Sequence, residues 1–512
     1  MAKKRTIAAL DVGSHEITLK IAQVERDALP LVLETVKRTL PIGTDTYKTG
    51  EISLETVADI VAVISQMTSK LKEFKVSQVR AVATSAVREA HNRQLVLDQI
   101  DRICKYPVQV LGNGEERYFH MLAAAGRWPA FTELIQEGTL VLDLGSGSVQ
   151  VTVYDKGEYV FSQNIRLGAL RIRELLADLE QRTADFGRLM EDYISTDLEN
   201  YRMLEPKGTS YKHLIVLGAE TSYLKILARL DPFGHASLQK DRFDEIYQLL
   251  LSTKASDLAM NWSISSEHAS LLLPSAILIR KFLSFTGASV IQMPEVTLAD
   301  GLLIDLVKPD NRLLAGHDPH KDILSAARQM VRRYQSDKRH LYHVERFALM
   351  VFDETRRLHR LQPRDRLLLQ LAALLHDTGK FINMNNHNVR SYNIILSTEI
   401  VGLSPEEQHQ AAWTARFYTG PVDYLDPQFR SLSEDSQLKV LKLAAILRLA
   451  DALDASHKQT LELGEVRVEG DDLLLIAQSR DDLTLVNWSL EKKSDLFRIV
   501  FGLAPVLKIR RK

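Results

Sequence analysis

The spacing of apolar positions changes character several times along the chain. Residues 6–10 form a short β-branched apolar run, and residues 17–24 alternate around polar positions, the two-residue period of a strand. Residues 53–74 switch to helical patterning. A strand over 79–84, a helix over 87–105, a strand over 108–111 and a helix over 115–125 follow. This strand–helix alternation predicts an α/β unit. A second unit starts near Gly138. Residues 140–144 and 149–155 read as a hairpin, 159–166 as a third strand and 169–203 as a helical segment of mixed charge. A strand over 214–217, a helix over 267–285 introduced by Ser265-Ser266, and a strand with its following helix over 288–305 complete it.

After Val307 the character changes. Residues 308–311 and 316–321 read as linker, and 323–456 is almost wholly helical, with few glycines. The tail returns to strands at 465–468, 473–478 and 506–509 before Arg510-Arg511-Lys512, a basic end that reads as a solvated terminus. The expected division is two α/β half-domains over 1–135 and 136–307, an all-α domain over 320–458 and a small α+β domain over 459–512.

Composition narrows the class. A chain of 512 residues with 45% hydrophobic and 26% charged residues is a soluble protein of several domains. Lys+Arg 65 against Asp+Glu 66 leaves a net charge of -1, which argues against nucleic acid as a partner. The single cysteine, Cys104, excludes internal disulfides and cysteine-rich zinc sites and fits a reducing cytoplasm. Asp11 interrupts the first apolar run too early for a signal peptide, and no uncharged run is long enough to span a bilayer.

Two near-copies of one phrase carry the chemistry. Residues 7–14 and 140–148 are each an apolar run that ends in Asp, an apolar residue, Gly and Ser. An Asp at the end of a buried strand is unfavourable unless metal or donors satisfy it. Gly13 and Gly145 allow a tight turn and let backbone N–H groups approach an anion, while Ser14, Ser146 and Ser148 add hydroxyls; Gly147 belongs to the same loop. One such motif would only cap a turn; two, opening two α/β segments, point to phosphate. Thr84 and Ser85 form a polar turn at a strand end, with Arg88 one helical turn on, a fit for an anion at a helix N-terminus and a bidentate guanidinium. Residues 112–117 put an acid directly after a Gly-rich turn, where it can serve as base for an attacking water.

The order Asp-x-Gly-Ser, Thr-Ser-Ala-x-Arg-Glu-Ala, Gly-x-x-Glu-x-Arg and Asp-x-Gly-x-Gly-Ser resembles the exopolyphosphatase/guanosine pentaphosphate phosphohydrolase (Ppx/GppA) family over residues 5–305. Glu267-His268-Ala269 through Leu273-Pro274 to Asp300-Gly301-Leu302-Leu303 is similar as well. The resemblance implies two actin/hexokinase/Hsp70-like (ribonuclease H-like) half-domains, Mg²⁺ dependence, a cytoplasmic homodimer, and inorganic polyphosphate or guanosine pentaphosphate as substrate. It implies that Glu115 activates water, that Asp11 and Asp143 hold Mg²⁺, that Arg88 clamps phosphate and that the Gly145–Ser148 loop cradles it. Three positions depart from the family: His15-Glu16 in the first loop, Gln150 where a second catalytic acid stands, and Gly218-Ala219-Glu220 in place of Gly-Gly. Gln150 cannot carry charge to a metal, so activity is expected to be reduced, with Glu16 or Glu220 open as compensation.

The helical region holds His343, then His376-Asp377 in Leu-Leu-His-Asp-Thr-Gly-Lys, then His387 and Asp451. That order resembles the HD metal-dependent phosphohydrolase superfamily. It implies a second divalent ion, Mn²⁺, Fe²⁺ or Zn²⁺. In the long exopolyphosphatases the corresponding domain mainly serves the channel and the dimer interface. Four readings stay open on the sequence: an exopolyphosphatase, a guanosine pentaphosphate hydrolase, a non-catalytic polyphosphate or alarmone sensor, and an HD-centred hydrolase.

Overall fold

The computed structural model describes residues 4–25, 28–103, 106–180, 182–183, 185–205, 208, 210–307, 316–479 and 481–510. Cys104, the linker 308–311 and the last two basic residues lie outside them. The chain divides into two compact units, Met1–Asp322 and Ile323–Lys512.

The first unit repeats one topology. Strands β1 (Arg5–Val12), β2 (Glu16–Val24), β3 (Leu31–Thr39), β4 (Gln78–Ala83) and β5 (Val108–Val110) form a sheet in the order β3-β2-β1-β4-β5. The second sheet contains β6 (Thr139–Leu144), β7 (Val149–Asp155), β8 (Glu158–Ile165), β9 (His213–Leu217), β10 (Ala236–Gln239) and β11 (Val290–Met293), in the order β10-β11-β9-β6-β7-β8. With β10 set aside as an added edge strand, both sheets read 3-2-1-4-5. In each, the first three strands are antiparallel, and the first strand pairs in parallel with the fourth. Strand β6 is buried along its whole length (Thr139–Leu144), as a central strand covered on both faces must be.

The repeated phrase becomes a repeated hairpin. Gly13 N–H donates to Glu16 O at 3.0 Å, and Gly145 N–H donates to Ser148 O at 2.9 Å. Asp11 faces Thr18 across the first pair of strands, and Asp143 faces Gln150 across the second. Both acids therefore leave their strands at the same place in the fold.

Some elements differ from the sequence expectation. The helix expected over 87–105 is two, Ser85–Glu89 and Arg93–Ile103, since Ala90 is extended. Helices Ile42–Thr49, Lys240–Ser252 and Ala255–Trp262 fill stretches to which the sequence reading assigns no element.

The second unit is mainly helical. Lys338–Glu354, Pro363–Leu375, His387–Ser397, Pro405–Arg416 and Glu434–Ala452 surround a core that includes Trp413, Phe347, Phe352 and Phe417. Strands β12 (Glu462–Glu469), β13 (Asp472–Gln478) and β14 (Ala504–Ile509) form a small sheet whose Leu473 and Leu475 join that same core. Between β13 and β14 lie two helices, Thr484–Lys493 and Asp495–Phe501, in a tail that reads as strands from sequence.

Candidate functional site

The two hairpin turns line one cleft of about 160 Å³ in the first unit, together with the ends of β4 and β9. Asp11, Asp143, Gly13, Ser14, Gly145, Ser146, Thr84 and Ser85 are on its walls, as the sequence pattern predicts. Ser14 is tied beneath it. Its Oγ accepts from Ala86 N–H at 3.0 Å and from Tyr47 Oη at 2.9 Å, and lies 2.7 Å from Ser85 Oγ. Gly147 and Ser148 are not on the wall. A Cβ on Gly147 would overlap Tyr47 Oη, so glycine is required there to let the second loop close on the first. Arg171 holds this closure: Nε donates to Gly147 O at 2.6 Å, and the guanidinium pairs with both oxygens of Glu89 at 2.8 Å.

Three of the expected roles need correction. Glu115 does not face the cleft. On helix Asn113–Arg127 its carboxylate caps the helix's own first turn, accepting from Gly112 N–H at 3.0 Å and from Gln109 Nε2 at 3.0 Å. The next residue, Glu116, lines the cleft instead. Arg88 is absent from the wall: Nη1 donates to Leu111 O at 2.7 Å and to Glu116 Oε2 at 3.1 Å, and Nη2 donates to Asn113 Oδ1. Arg88 is thus committed to Glu116 rather than facing the open cleft. Gln150 is buried behind Asp143 and does not reach the wall.

Lys37 and His120 are wall residues that no sequence motif singled out, while His15 and Glu220 stand on the wall as two of the departures from the family pattern. Lys37 on β3 brings an ammonium, 3.3 Å from Glu16 Oε1. His120, one helical turn beyond Glu116, places Nδ1 2.6 Å from Asp143 Oδ2. Burial alone would lower the His120 pKa, but Asp143, Glu116 and Asp11 raise it to about 9. The i, i+4 spacing of Glu116 and His120 was a usable signal. His15 is buried, and with His268 and Tyr223 it forms a ladder of rings at 4.8 Å and 4.4 Å. Burial lowers the His15 pKa to about 4, so that ring is neutral. Glu220 opens helix Glu220–Ala228 and is 2% exposed.

Several buried polar atoms of this wall have no hydrogen-bond partner among the described residues: Asp11 Oδ1, both His15 nitrogens and Glu220 Oε1. Burial raises the pKa of both Asp11 and Glu220 to about 7; Glu116 adds to the effect on Asp11. Unsatisfied groups at this density are unfavourable in a protein interior unless a ligand completes them. Carboxylate oxygens from Asp11, Asp143 and Glu116 are the donor set of a hard divalent cation.

The second unit holds another cluster, and here His343 is corrected to His340. His343 Nε2–H donates to Leu461 O at 2.9 Å. His340, three residues earlier, is fully buried. Its Nε2 lies 3.3 Å from Asp451 Oδ1 and 3.9 Å from Asp377 Oδ2. His376 Nε2 lies 3.6 Å from Asp451 Oδ1 and 3.8 Å from Asp377 Oδ1. Ligand atoms of His340, His376 and Asp377 all fall within 4.8 Å of one another. His376 Nδ1–H donates to Ala373 O at 2.8 Å, which leaves its Nε2 with a lone pair. Asp454 Oδ2, 2.8 Å from His340 Nδ1, orients the other ring. Neither Nε2 makes a well-directed hydrogen bond among the described residues. His387 lies at the edge of this group, its Nε2 3.6 Å from Asp377 Oδ1. The same nitrogen meets the Tyr418 hydroxyl, and that hydroxyl donates to Asp377 Oδ1 at 2.9 Å. Lys380 and Lys493 pair with Asp377 and Asp451.

A 3-2-1-4-5 sheet built twice, with an acid ending the first strand of each half above a Gly/Ser turn, is the actin-like ATPase fold. Comparison with known proteins agrees. The family model described as "Ppx/GppA phosphatase family" matches residues 20–309, and that for domain III of the same phosphatases matches residues 324–494. The chain belongs to the Ppx/GppA phosphatase family. It is 23% identical over 483 residues to a guanosine-5'-triphosphate,3'-diphosphate pyrophosphatase of Vibrio vulnificus (strain YJ016), covering 91% of each. It is 24% identical over 311 residues to exopolyphosphatase 1 of Mycobacterium leprae (strain TN), covering 58% of this chain and 88% of that one. A crystal structure of an exopolyphosphatase from Cytophaga hutchinsonii ATCC 33406 shares the fold, with a TM-score of 0.53 and 20% identity over 59% of this chain and 98% of its own. No helix among the described residues is long and apolar enough to cross a membrane.

Proposed function

We infer that the cleft hydrolyses a phosphoric anhydride, releasing terminal orthophosphate from inorganic polyphosphate. One observation carries the reading: the unsatisfied Asp11 and Glu220 oxygens and His15 nitrogens line the same small cleft as two Gly/Ser turns. Glu116 orients the attacking water and takes its proton; Arg88 fixes the Glu116 carboxylate. Backbone N–H groups of Ser14 and Ser146 in the two turns, the Thr84 and Ser85 hydroxyls and the Lys37 ammonium hold phosphate oxygens. Asp11 and Asp143 would hold Mg²⁺. When bound, such an ion neutralises charge on the transferring phosphoryl group. Phosphoryl transfer needs mostly positioning and charge stabilisation, and this wall supplies both.

The full-length similarity to a protein named for guanosine pentaphosphate chemistry favours that alarmone as a second substrate of the same cleft, since both substrates end in the same group. The His340/His376/Asp377/Asp451 cluster supports a second reading for the helical unit, a bound divalent ion. Two nitrogen and two oxygen donors suit Mn²⁺, Fe²⁺ or Zn²⁺, and neither buried Nε2 makes a well-directed hydrogen bond among the described residues.

The test is phosphate release from polyphosphate and from guanosine pentaphosphate with Mg²⁺, comparing wild type, Glu116→Gln and Glu115→Ala. Glu116→Gln should lose on the order of 100-fold or more in kcat, the range of a lost general base. Full activity of Glu116→Gln would sink the assignment.

A further inference from the structure

Asp143 has one side-chain neighbour in sequence register on each flank of β6. On one flank stands Gln150 of β7, paired with it across the sheet. On the other, Asp143 pairs with Leu217, the last residue of β9, and the chain turns three residues later into Glu220. The turn is tightly fixed. Gly218 has φ +124, and a Cβ there would overlap Leu144 O, so β9 hands over to its helix hard against the end of β6. The two flanks differ in chemistry. Gln150 is a neutral amide, buried and off the cleft wall, with its own Oε1 also without a partner among the described residues. Glu220 is a carboxyl group on that wall, 2% exposed, with Oε1 lacking a partner among the described residues.

Glu295, another acid of the wall, pairs with Lys225 Nζ at 3.0 Å, and the charge of Glu16 is likewise matched. Glu16 Oε1 accepts from Thr18 Oγ1 at 3.0 Å and lies 3.3 Å from Lys37 Nζ. Glu220 has no ion pair among the described residues. A buried carboxyl group without a cation stays protonated, and a ligand that brings positive charge converts it to the carboxylate.

We propose that Glu220 is a third metal-directed carboxylate of this cleft, holding the divalent ion together with Asp11 and Asp143 from the β9 side, in the place that Gln150 cannot fill. The proposal rests on the hydrolase reading of the cleft. It makes this chain a member whose carboxylate pair has moved from one flank of Asp143 to the other.

The experiment uses the full-length protein and Mg²⁺ as probe, since the nitrogen-bearing cluster of the second unit is a poor Mg²⁺ site. Mg²⁺ affinity is measured by titration calorimetry, alongside phosphate release and the melting temperature of the metal-free protein. The variants are Glu220→Gln, Gln150→Glu and both together. Glu220→Gln should weaken Mg²⁺ roughly 10-fold or more and lower phosphate release, while the metal-free melting temperature holds or rises because a buried group without an ion pair is replaced by a neutral one. Adding Gln150→Glu should restore a large part of the Mg²⁺ affinity lost in Glu220→Gln. Unchanged Mg²⁺ affinity in Glu220→Gln overturns the proposal, as does a fall in metal-free stability, which would make the carboxyl structural. A wild type that binds Mg²⁺ through Glu220 yet releases no phosphate would overturn the hydrolase reading and leave the metal assignment standing.

Discussion

On helix Asn113–Arg127 two adjacent glutamates serve different ends. Successive helical residues point about 100° apart, so only one of them can face the cleft. Glu115 turns back to its own Gly112 N–H, and Glu116 turns to Asp11, Asp143 and Arg88. The Gly-x-x-Glu-x-Arg spacing selects Glu115, but spacing does not say which of the two adjacent acids turns to the cleft. Capping decides it: the third helical position is where a carboxylate reaches the N-cap amide. Glu115→Ala should therefore keep phosphate release near wild type and cost about 1 kcal/mol of stability, read by urea denaturation. Lys37→Ala should raise KM for polyphosphate with less effect on kcat, as expected for a cation that binds substrate before and during reaction. The same ambiguity governs His340 and His343. Val344, Ala348 and Val351 share the buried stripe of their helix with His340, while His343 sits at its margin and bonds to Leu461.

Among elements, helix Leu298–Val307 shows how a few residues seat a whole segment. Asp300 is buried and pairs with Lys20 on β2 at 2.6 Å and with Arg127 at 3.0 Å. Burial would raise its pKa, but Lys20 and Arg127 hold it below the usual 3.8. A depressed carboxyl pKa stabilises the fold above the unfolded value, and that contribution fades as pH falls through the folded one. Stability lost between about pH 4 and the lower folded value should thus be smaller in Asp300→Asn than in wild type, measured by urea denaturation at pH 7 and pH 3. Gly301 on the same helix lies against Phe119 O, with no room for a Cβ. Gly301→Ala should cost about 1–3 kcal/mol by the same measurement. Elements with strong periods are legible from sequence: the β1 and β6 runs and the Glu267–Phe285 stretch are helix or strand as patterned. Helices Thr484–Lys493 and Asp495–Phe501 are not, because their apolar residues show little helical asymmetry and tertiary packing of Phe497 and Leu490 decides them.

For the whole molecule, the two metal readings sit in separate compact units, so they should titrate independently. Metal-depleted protein should bind Mn²⁺ at two sites by calorimetry. His376→Ala with Asp377→Ala should remove one site and leave phosphate release by the Glu116 cleft unchanged. Loss of release in that variant would instead place the chemistry in the helical unit. That two strands each deliver an acid and a Gly/Ser turn is legible along the chain, because strand period and turn residues are local properties. Equally legible is that a His-Asp pair lies among helices. Which glutamate faces the cleft, the commitment of Arg88 to Glu116, and the presence of Glu220 rather than Gln150 on the wall beside Asp143 come from packing between elements distant in sequence. Those outcomes depend on which flank of β6 each loop meets and on which partners each buried charge finds, and neither is encoded in the spacing of residues along the chain.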